Sequence, residues 1–431
     1  MQDRVDVAVI GGGAAGIAAA RRILRHPGMS VLVIEARSRI GGRAHTMTAR
    51  PSAAGGCDVP LDLGCAWLHS GLANVWTGLA EQEGFTVDRR PAPWDREDRD
   101  LGLEPEEQLG FADAMEDFRL KAEEATARGD DGPLSDLVPL ESRWRSLLDA
   151  VSTYVSGAEL DRVSVRDSAD YRPGEGDDWR VVEGYGRLVV HHGRDLPVVL
   201  DTPVTLIDHS GSDSVRIETT RGTIVAKVVI VTASTDVLAS ENIRFLPALP
   251  DKVEAAALLP LGSVEKLWLG TATPELFPAE AYCMGASDTA RTAAYHLRPF
   301  ERPVIECFLA GDLARDLTRA GRAAALDFAR SELRGHLGRE AADAVTPLSL
   351  TDWGREPHIL GSYAYAVPGS AGARARLAQP VDGRLFFAGE AVHPSRFTTA
   401  HGAYETGVAA AEAALSSLVP VQLARSAVVI T

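Results

Sequence analysis

Cysteine is scarce in this chain, with 4 in 431 residues, and the four (Cys57, Cys65, Cys283, Cys307) form neither a CxxC pair nor a metal-ligand spacing. That argues against a disulfide framework or a zinc site and leads us to expect a reduced, cytoplasmic compartment. No apolar run reaches the length of a membrane span, and no apolar leader stands apart from the first strand, so no membrane partner is expected. Positive charge is the minority sign: 44 Lys and Arg against 60 Asp and Glu give a net charge of -16. Nucleic acid is therefore an unsuitable partner and a cationic ligand a suitable one, although solubility alone accounts for such a balance. Internal repeats and low-complexity tracts are also missing. What remains, 45% hydrophobic and 24% charged, suffices for a large core and two or three domains.

The most informative segment is VDVAVIGGGAAGIAAARRIL, an apolar strand running through Gly11-x-Gly13-x-x-Gly16 into a helix. The first glycine permits a tight turn, the second lets the backbone approach a pyrophosphate, and the third lets helix and strand pack closely. Glu35 closes the next strand, 19 residues after Gly16, where a carboxylate accepts hydrogen bonds from ribose hydroxyls and disfavours a 2′-phosphate. Gly41, Gly42 and Arg43 add backbone N–H groups and a guanidinium for the pyrophosphate, which points to a flavin dinucleotide rather than nicotinamide. Near the other end, RLFFAGEAVHPSRFTTAHGAYETG repeats the order of apolar strand, Gly389-Glu390 and helix. Both ends thus grip one FAD between two helix N-termini. No second GxGxxG occurs, so the electrons come from an organic substrate.

Residues 1–80 read as strand, helix, strand and the glycine-rich LDLGCAWLHSG. Helical spacing relates Phe111, Met115 and Phe118, and again Trp144, Leu147, Leu148, Val151 and Val155. VVLDTPVTLID, SVRIETTRGTIVA and KVVIVTAS predict a small sheet ending in the buried run Val228–Thr232. VEKLWLG, VIECFLA and GSYAYAV predict further strands, with a helix over about 323–337. The fold class expected is α/β: a Rossmann-like FAD-binding domain (1–80, 181–257 and 370–419) interleaved with a mixed-sheet and helical substrate domain (81–180 and 258–369). Residues 420–431 are expected to form a loosely held tail.

IEARSRIGGR, LDLGCAWLHSG, VEGYGRLV, VEKLWLG, WGREPHILGSYAYAVPG and LFFAGEAVHPSRFTTAHGAYETG follow one another as they do in the flavin amine oxidases. The chain resembles that family of monoamine oxidases, polyamine oxidases and histone lysine demethylases everywhere except about 90–165. WLHSG and GSYAYAVPG look most like the polyamine-oxidase and demethylase branch. The resemblance implies a cofactor shell of Gly11, Gly13, Ala14, Ala15, Gly16, Glu35, Ala36, Arg37, Gly42, Arg43, Gly64, Cys65, Ala66, Trp67, Val204, Trp353, Gly389, Glu390, Thr399 and Ala400. Within it Glu35 would hold the adenosine ribose, Arg43 the phosphates, the Val204 backbone the adenine edge, and Glu390 the ribityl chain. The helix opening near 399–401 would aim its N–H groups at the flavin N1–C2=O. Four residues are implied to be catalytic. Lys266 would reach the flavin N5 through a water; Tyr363 and Trp353 would stand against the ring; Thr399 would form the opposite wall, where monoamine oxidases carry a second tyrosine. His69, with Tyr363, would contact substrate. Gly361-Ser362-Tyr363 replaces the cysteine-bearing GGCY-type run of some monoamine oxidases, which implies noncovalent FAD.

The implied reaction moves a hydride equivalent from the carbon beside an amine nitrogen to flavin N5, leaves an imine for hydrolysis, and uses O2 as acceptor to give peroxide. A small-molecule amine, a polyamine or related secondary amine, is the expected substrate. An aromatic or heterocyclic monoamine, or an amino acid, is the alternative. A desaturase or protoporphyrinogen-type oxidase would need an apolar membrane-binding surface that the charged 90–130 region does not suggest, and a flavin-stabilised interaction module would not turn over. A polyamine's distal nitrogens would want carboxylates, for which Asp95–Asp100 and Glu104–Glu107 are the candidates. Monomer and homodimer are both left open.

Overall fold

A computed structural model describes residues 4–51, 58–96, 101–174 and 176–418. The apolar strand Arg4–Ile10 pairs in parallel with Val31–Ile34 on one side and with Gly222–Val231 on the other. Strands buried on both faces read as unbroken apolar runs, as VLVI does here. The stretches GTIVA and KVVIV form one strand, Gly222–Val231. Its first half is the antiparallel partner of Val215–Thr219, and its last residues pair in parallel with Leu385–Phe387. This places the opening and closing glycine-marked strands in a single eight-stranded sheet. The helices that follow them, Ala14–Leu24 and Ala400–Leu418, pack on each other. At their crossing a Cβ on Gly407 would lie 2.1 Å from the Ala15 carbonyl oxygen, so only glycine admits the approach.

The second sheet has five antiparallel strands in the order Ala281–Met284, Ala294–Leu297, Val304–Ala310, Val264–Thr271 and Val345–Leu350. Side chains alternate across it. Leu267, Leu269, Cys283, Tyr295, Cys307 and Leu309 face a core that also takes in Ala325, Ala329 and Leu333 of the helix Arg322–Asp343. Lys266, Tyr282, His296, Glu306 and Phe308 occupy the alternate positions and line a cavity. The helix Arg322–Asp343 is longer than expected and breaks at Gly338 (φ 82°). Helices Pro105–Ala127 and Arg145–Ser156 fall where their spacing indicated, and the latter stops at left-handed Gly157 (φ 70°).

GSYAYAV is not the strand its alternation suggested. It makes one bridge, Leu261 to Ala364, and its backbone is held partly by residues 258–262, as where Gly262 N–H donates to Tyr363 O at 2.8 Å, and partly by carboxylates: Ala364 N–H donates to Glu390, and Ala366 N–H to Asp167 at 2.8 Å. Asp167 in turn clasps Arg374 with both oxygens, at 2.6 and 2.8 Å. These two side chains are only 2% and 4% exposed, and Arg374 also donates to the Ala364 and Ala391 carbonyls. The anticipated tail, 420–431, lies outside the described residues, among which no helix is long and apolar enough to cross a membrane.

Candidate active site

One cavity of about 920 Å³ extends from Glu35 and Val204 to Lys266, Trp353 and Tyr363. At its first end the glycine turn is built as the motif requires. A Cβ on Gly16 would sit 1.9 Å from the Gly11 carbonyl oxygen, whereas one on Gly13 would meet only Gly42 Cα, at 3.9 Å, and would otherwise fill open space. Glu35 is buried, and its two oxygens accept the Gly12 and Arg37 N–H groups at 2.6 and 2.8 Å, which leaves lone pairs for the cavity. Arg37 pairs with Glu356 at 2.9 Å, while its Nη1 is buried without a protein partner. An open cradle of backbone, a fixed carboxylate and an unspent guanidinium N–H fit a ribose and pyrophosphate. We expect Glu35→Ala to weaken FAD binding about tenfold to a hundredfold, read as the dissociation constant from flavin fluorescence.

Midway, Glu390 gathers three groups. It pairs with Arg43 at 3.0 Å, and it accepts the Thr398 N–H at 3.0 Å and the Ala364 N–H at 3.2 Å; Arg43 also donates to the Ser362 carbonyl. Thr399 caps the final helix, its hydroxyl accepting the Gly402 N–H at 3.0 Å and donating to Arg396 O at 2.6 Å. Burial holds His401, in the first turn, down at about 4, so the helix N-terminus meets a neutral imidazole.

The far end is aromatic. Trp353 is fixed by its indole N–H to Leu63 O (3.1 Å) and its backbone N–H to Glu265 (2.7 Å). The Tyr363 hydroxyl donates to the Tyr154 carbonyl in the last turn of Arg145–Ser156, and burial pushes the Tyr363 phenol far up. Trp67 and Trp94 meet edge to face at 4.5 Å, with Arg180 4.9 Å behind Trp67. Tyr154 meets Phe308 at 5.9 Å. Lys266, 5% exposed, pairs with Glu306 at 2.7 Å and donates to Asp62 O at 3.2 Å. Burial, with Asp62 adding to it, pushes the Cys65 thiol up to about 12, so this cavity-lining cysteine carries no thiolate. His69 Nδ1 lies 2.8 Å from Asp178, which also accepts the Ser70 N–H.

The cofactor, catalytic and substrate residues implied by the resemblance, Gly16 excepted, all line this cavity; Gly16 lies behind the turn, against Gly11. None of the described candidates for distal carboxylates lines the cavity. Glu104, Glu106 and Glu107 are exposed at a helix start, Asp95 does not reach the cavity, and Glu97, Asp98 and Asp100 lie outside the described residues. Among the described residues the acids at the chemical end are Asp178 and Glu306, each already engaged by a base. Sequence reasoning also missed Trp94, Tyr154 and Phe308. The clue to Glu306 was available: it is a lone charge in the apolar strand VIECFLA, two residues from Phe308 and so on the same face.

A family model described as flavin containing amine oxidoreductase matches residues 14–415. Polyamine oxidase 2 of Arabidopsis thaliana is 30% identical over 94% of this chain and 87% of its own length. Polyamine oxidase 5 of Oryza sativa subsp. japonica is 28% identical at the same coverages. Lysine-specific histone demethylase 1 homolog 2 of the same plant is 30% identical, and the chain spans 56% of it. A solved putrescine oxidase bound to putrescine superposes with a TM-score of 0.76 at 18% identity, covering 96% of this chain and 99% of that one, which speaks for the fold.

Proposed function

This chain belongs to the flavin-containing amine oxidoreductase family, and from that premise we propose that it oxidises a polyamine or related secondary amine with noncovalently held FAD. The observation that carries the reading is the single cavity joining a dinucleotide cradle to a buried aromatic chamber. FAD, when bound, supplies the acceptor for a hydride equivalent from the carbon beside the amine nitrogen and returns two electrons to dioxygen, giving hydrogen peroxide; the imine hydrolyses to an aldehyde or ketone.

This chain's residues do the rest. Glu35 and Arg43 bind the ribose and phosphates, the Val204 backbone meets the adenine, and Glu390 meets the ribityl chain. The N–H groups that open the final helix would stabilise the negative charge that the flavin takes up on reduction. Lys266 would hold a water for the flavin. The reacting nitrogen must be uncharged to release the hydride, which for an amine of ordinary basicity costs about 4–5 kcal/mol at neutral pH. Trp67, Tyr154, Phe308 and Tyr363 make surroundings that disfavour the ammonium and so reduce that cost.

One observation favours an aromatic or heterocyclic monoamine as the second reading: among the described residues both acids of the chamber are paired, Asp178 with His69 and Glu306 with Lys266. An amino acid is less well served. The two cavity arginines, Arg37 and Arg43, lie at the cofactor end and pair with Glu356 and Glu390. The deciding experiment mixes the yellow protein anaerobically with a panel of polyamines, monoamines and amino acids, then admits oxygen. We expect a polyamine to bleach the flavin and peroxide to follow. Bound FAD that no amine bleaches would overturn the enzymatic reading in favour of a non-catalytic interaction module.

A further inference from the structure

A glutamate has no ordinary place in the strand Val304–Ala310, whose other members are all apolar. Glu306 is nevertheless there, 7% exposed, and a buried carboxylate is costly unless paired. The register puts Trp268 and His296 opposite it and Phe308 opposite Lys266. His296 is committed elsewhere, to Glu280 at 3.1 Å, and Trp268 donates to Asp62 O at 3.2 Å. The partner that answers Glu306 is Lys266, at 2.7 Å. Asp62 O takes a second N–H of the same ammonium at 3.2 Å. An ammonium has three donors, so the third is left for the cavity.

We propose that Glu306 is a positioning residue for Lys266: it pins the ammonium so that its remaining N–H faces the chamber, and its charge offsets that of the lysine beside the flavin ring. This rests on the reading of Lys266 above. The step it governs is reoxidation, in which the reduced flavin gives up two electrons and a proton, solvent adds a second proton, and dioxygen becomes hydrogen peroxide. Glu306 takes no part in the bond changes. It acts on them through the lysine, which without its counter-charge could swing on four methylenes to other acceptors.

The test is a double-mutant cycle in stopped flow, with Glu306→Leu, Lys266→Met and the double variant, each reduced anaerobically by the best amine and then mixed with oxygen. Glu306→Leu is expected to slow reoxidation about tenfold more than it slows reduction, and to add nothing once Lys266 is methionine. Equal slowing of both half-reactions, or a full effect of Glu306→Leu in the Lys266→Met background, overturns the proposal. Glu306→Gln, nearly isosteric and still able to accept from the ammonium, guards against misfolding of the leucine variant. Its bound FAD should show a more positive midpoint potential than wild type, because the lysine charge is no longer offset; an unmoved potential counts against the proposal. If Lys266→Met itself reoxidises at the wild-type rate, the reading of Lys266 fails instead. If no amine reduces any variant, the amine-oxidase reading fails.

Discussion

Arg374→Ala is expected to lower the unfolding free energy by about 3–5 kcal/mol, read as the shift in the urea midpoint at unchanged slope. The cause is the charge left behind. Asp167 is 2% exposed and faces Arg374 with both oxygens, so truncation strands a carboxylate that pairs with no other cation among the described residues. It also frees the Ala364 and Ala391 carbonyls, which Arg374 holds at 3.0 and 2.9 Å. That guanidinium fastens the helix Val165–Asp170, the segment bearing Tyr363, and the turn bearing Glu390 to one point. Replacing both partners, as in Arg374→Met with Asp167→Leu, should recover most of the stability, because a buried pair exchanged for apolar groups of similar volume is close to neutral. A double variant as unstable as Arg374→Ala would mean that the hydrogen bonds to the two carbonyls, rather than the charge pair, dominate.

The second large effect concerns the cofactor. Gly16→Val should yield protein with no bound FAD: even the first added carbon would stand 1.9 Å from the Gly11 carbonyl oxygen, and that clash is with backbone, which side-chain rotation cannot relieve. The first helix would have to move off its strand, taking the N–H groups of the glycine turn with it. The check is the flavin absorbance of the purified variant together with a titration of added FAD. Wild-type occupancy would show that the turn has slack the distances do not suggest.

How much could be read before the fold was known depends on where the determinants lie. The cofactor end was legible because its requirements fall on the local backbone: glycines at 11, 13 and 16, then an acid closing the following strand. The general architecture was legible for a similar reason, since strands buried on both faces leave continuous apolar runs. The chamber was legible only in part. Lys266, Trp353, Tyr363 and Trp67 lie in family motifs, whereas Trp94, Tyr154 and Phe308 come from three separate segments, and only the pairing of strands and the docking of the helix Arg145–Ser156 bring them together. GSYAYAV misled because its alternation of large and small side chains mimics a strand, while its backbone divides its hydrogen bonds between two carboxylates and residues 258–262 and makes a single bridge. The described carboxylates of the two charge-dense runs stay on the surface because charge density marks solvated faces; of the acids that do line the chamber, Glu306 stands alone in an apolar strand, whereas Asp178 follows Glu175 and Asp177 and is singled out only by its contact with His69.

The crossing of Ala14–Leu24 with Ala400–Leu418, closed by Gly407 against Ala15, also orders events in time. During synthesis the segment that opens the nucleotide cradle emerges first and must wait for nearly four hundred further residues before its partner leaves the ribosome. Until then one side of the first helix stays uncovered, and contacts of such long range are slow to form. Capture of the vitamin-derived prosthetic group is therefore expected only after this last helix has emerged, and a chain halted before residue 400 is expected to remain colourless.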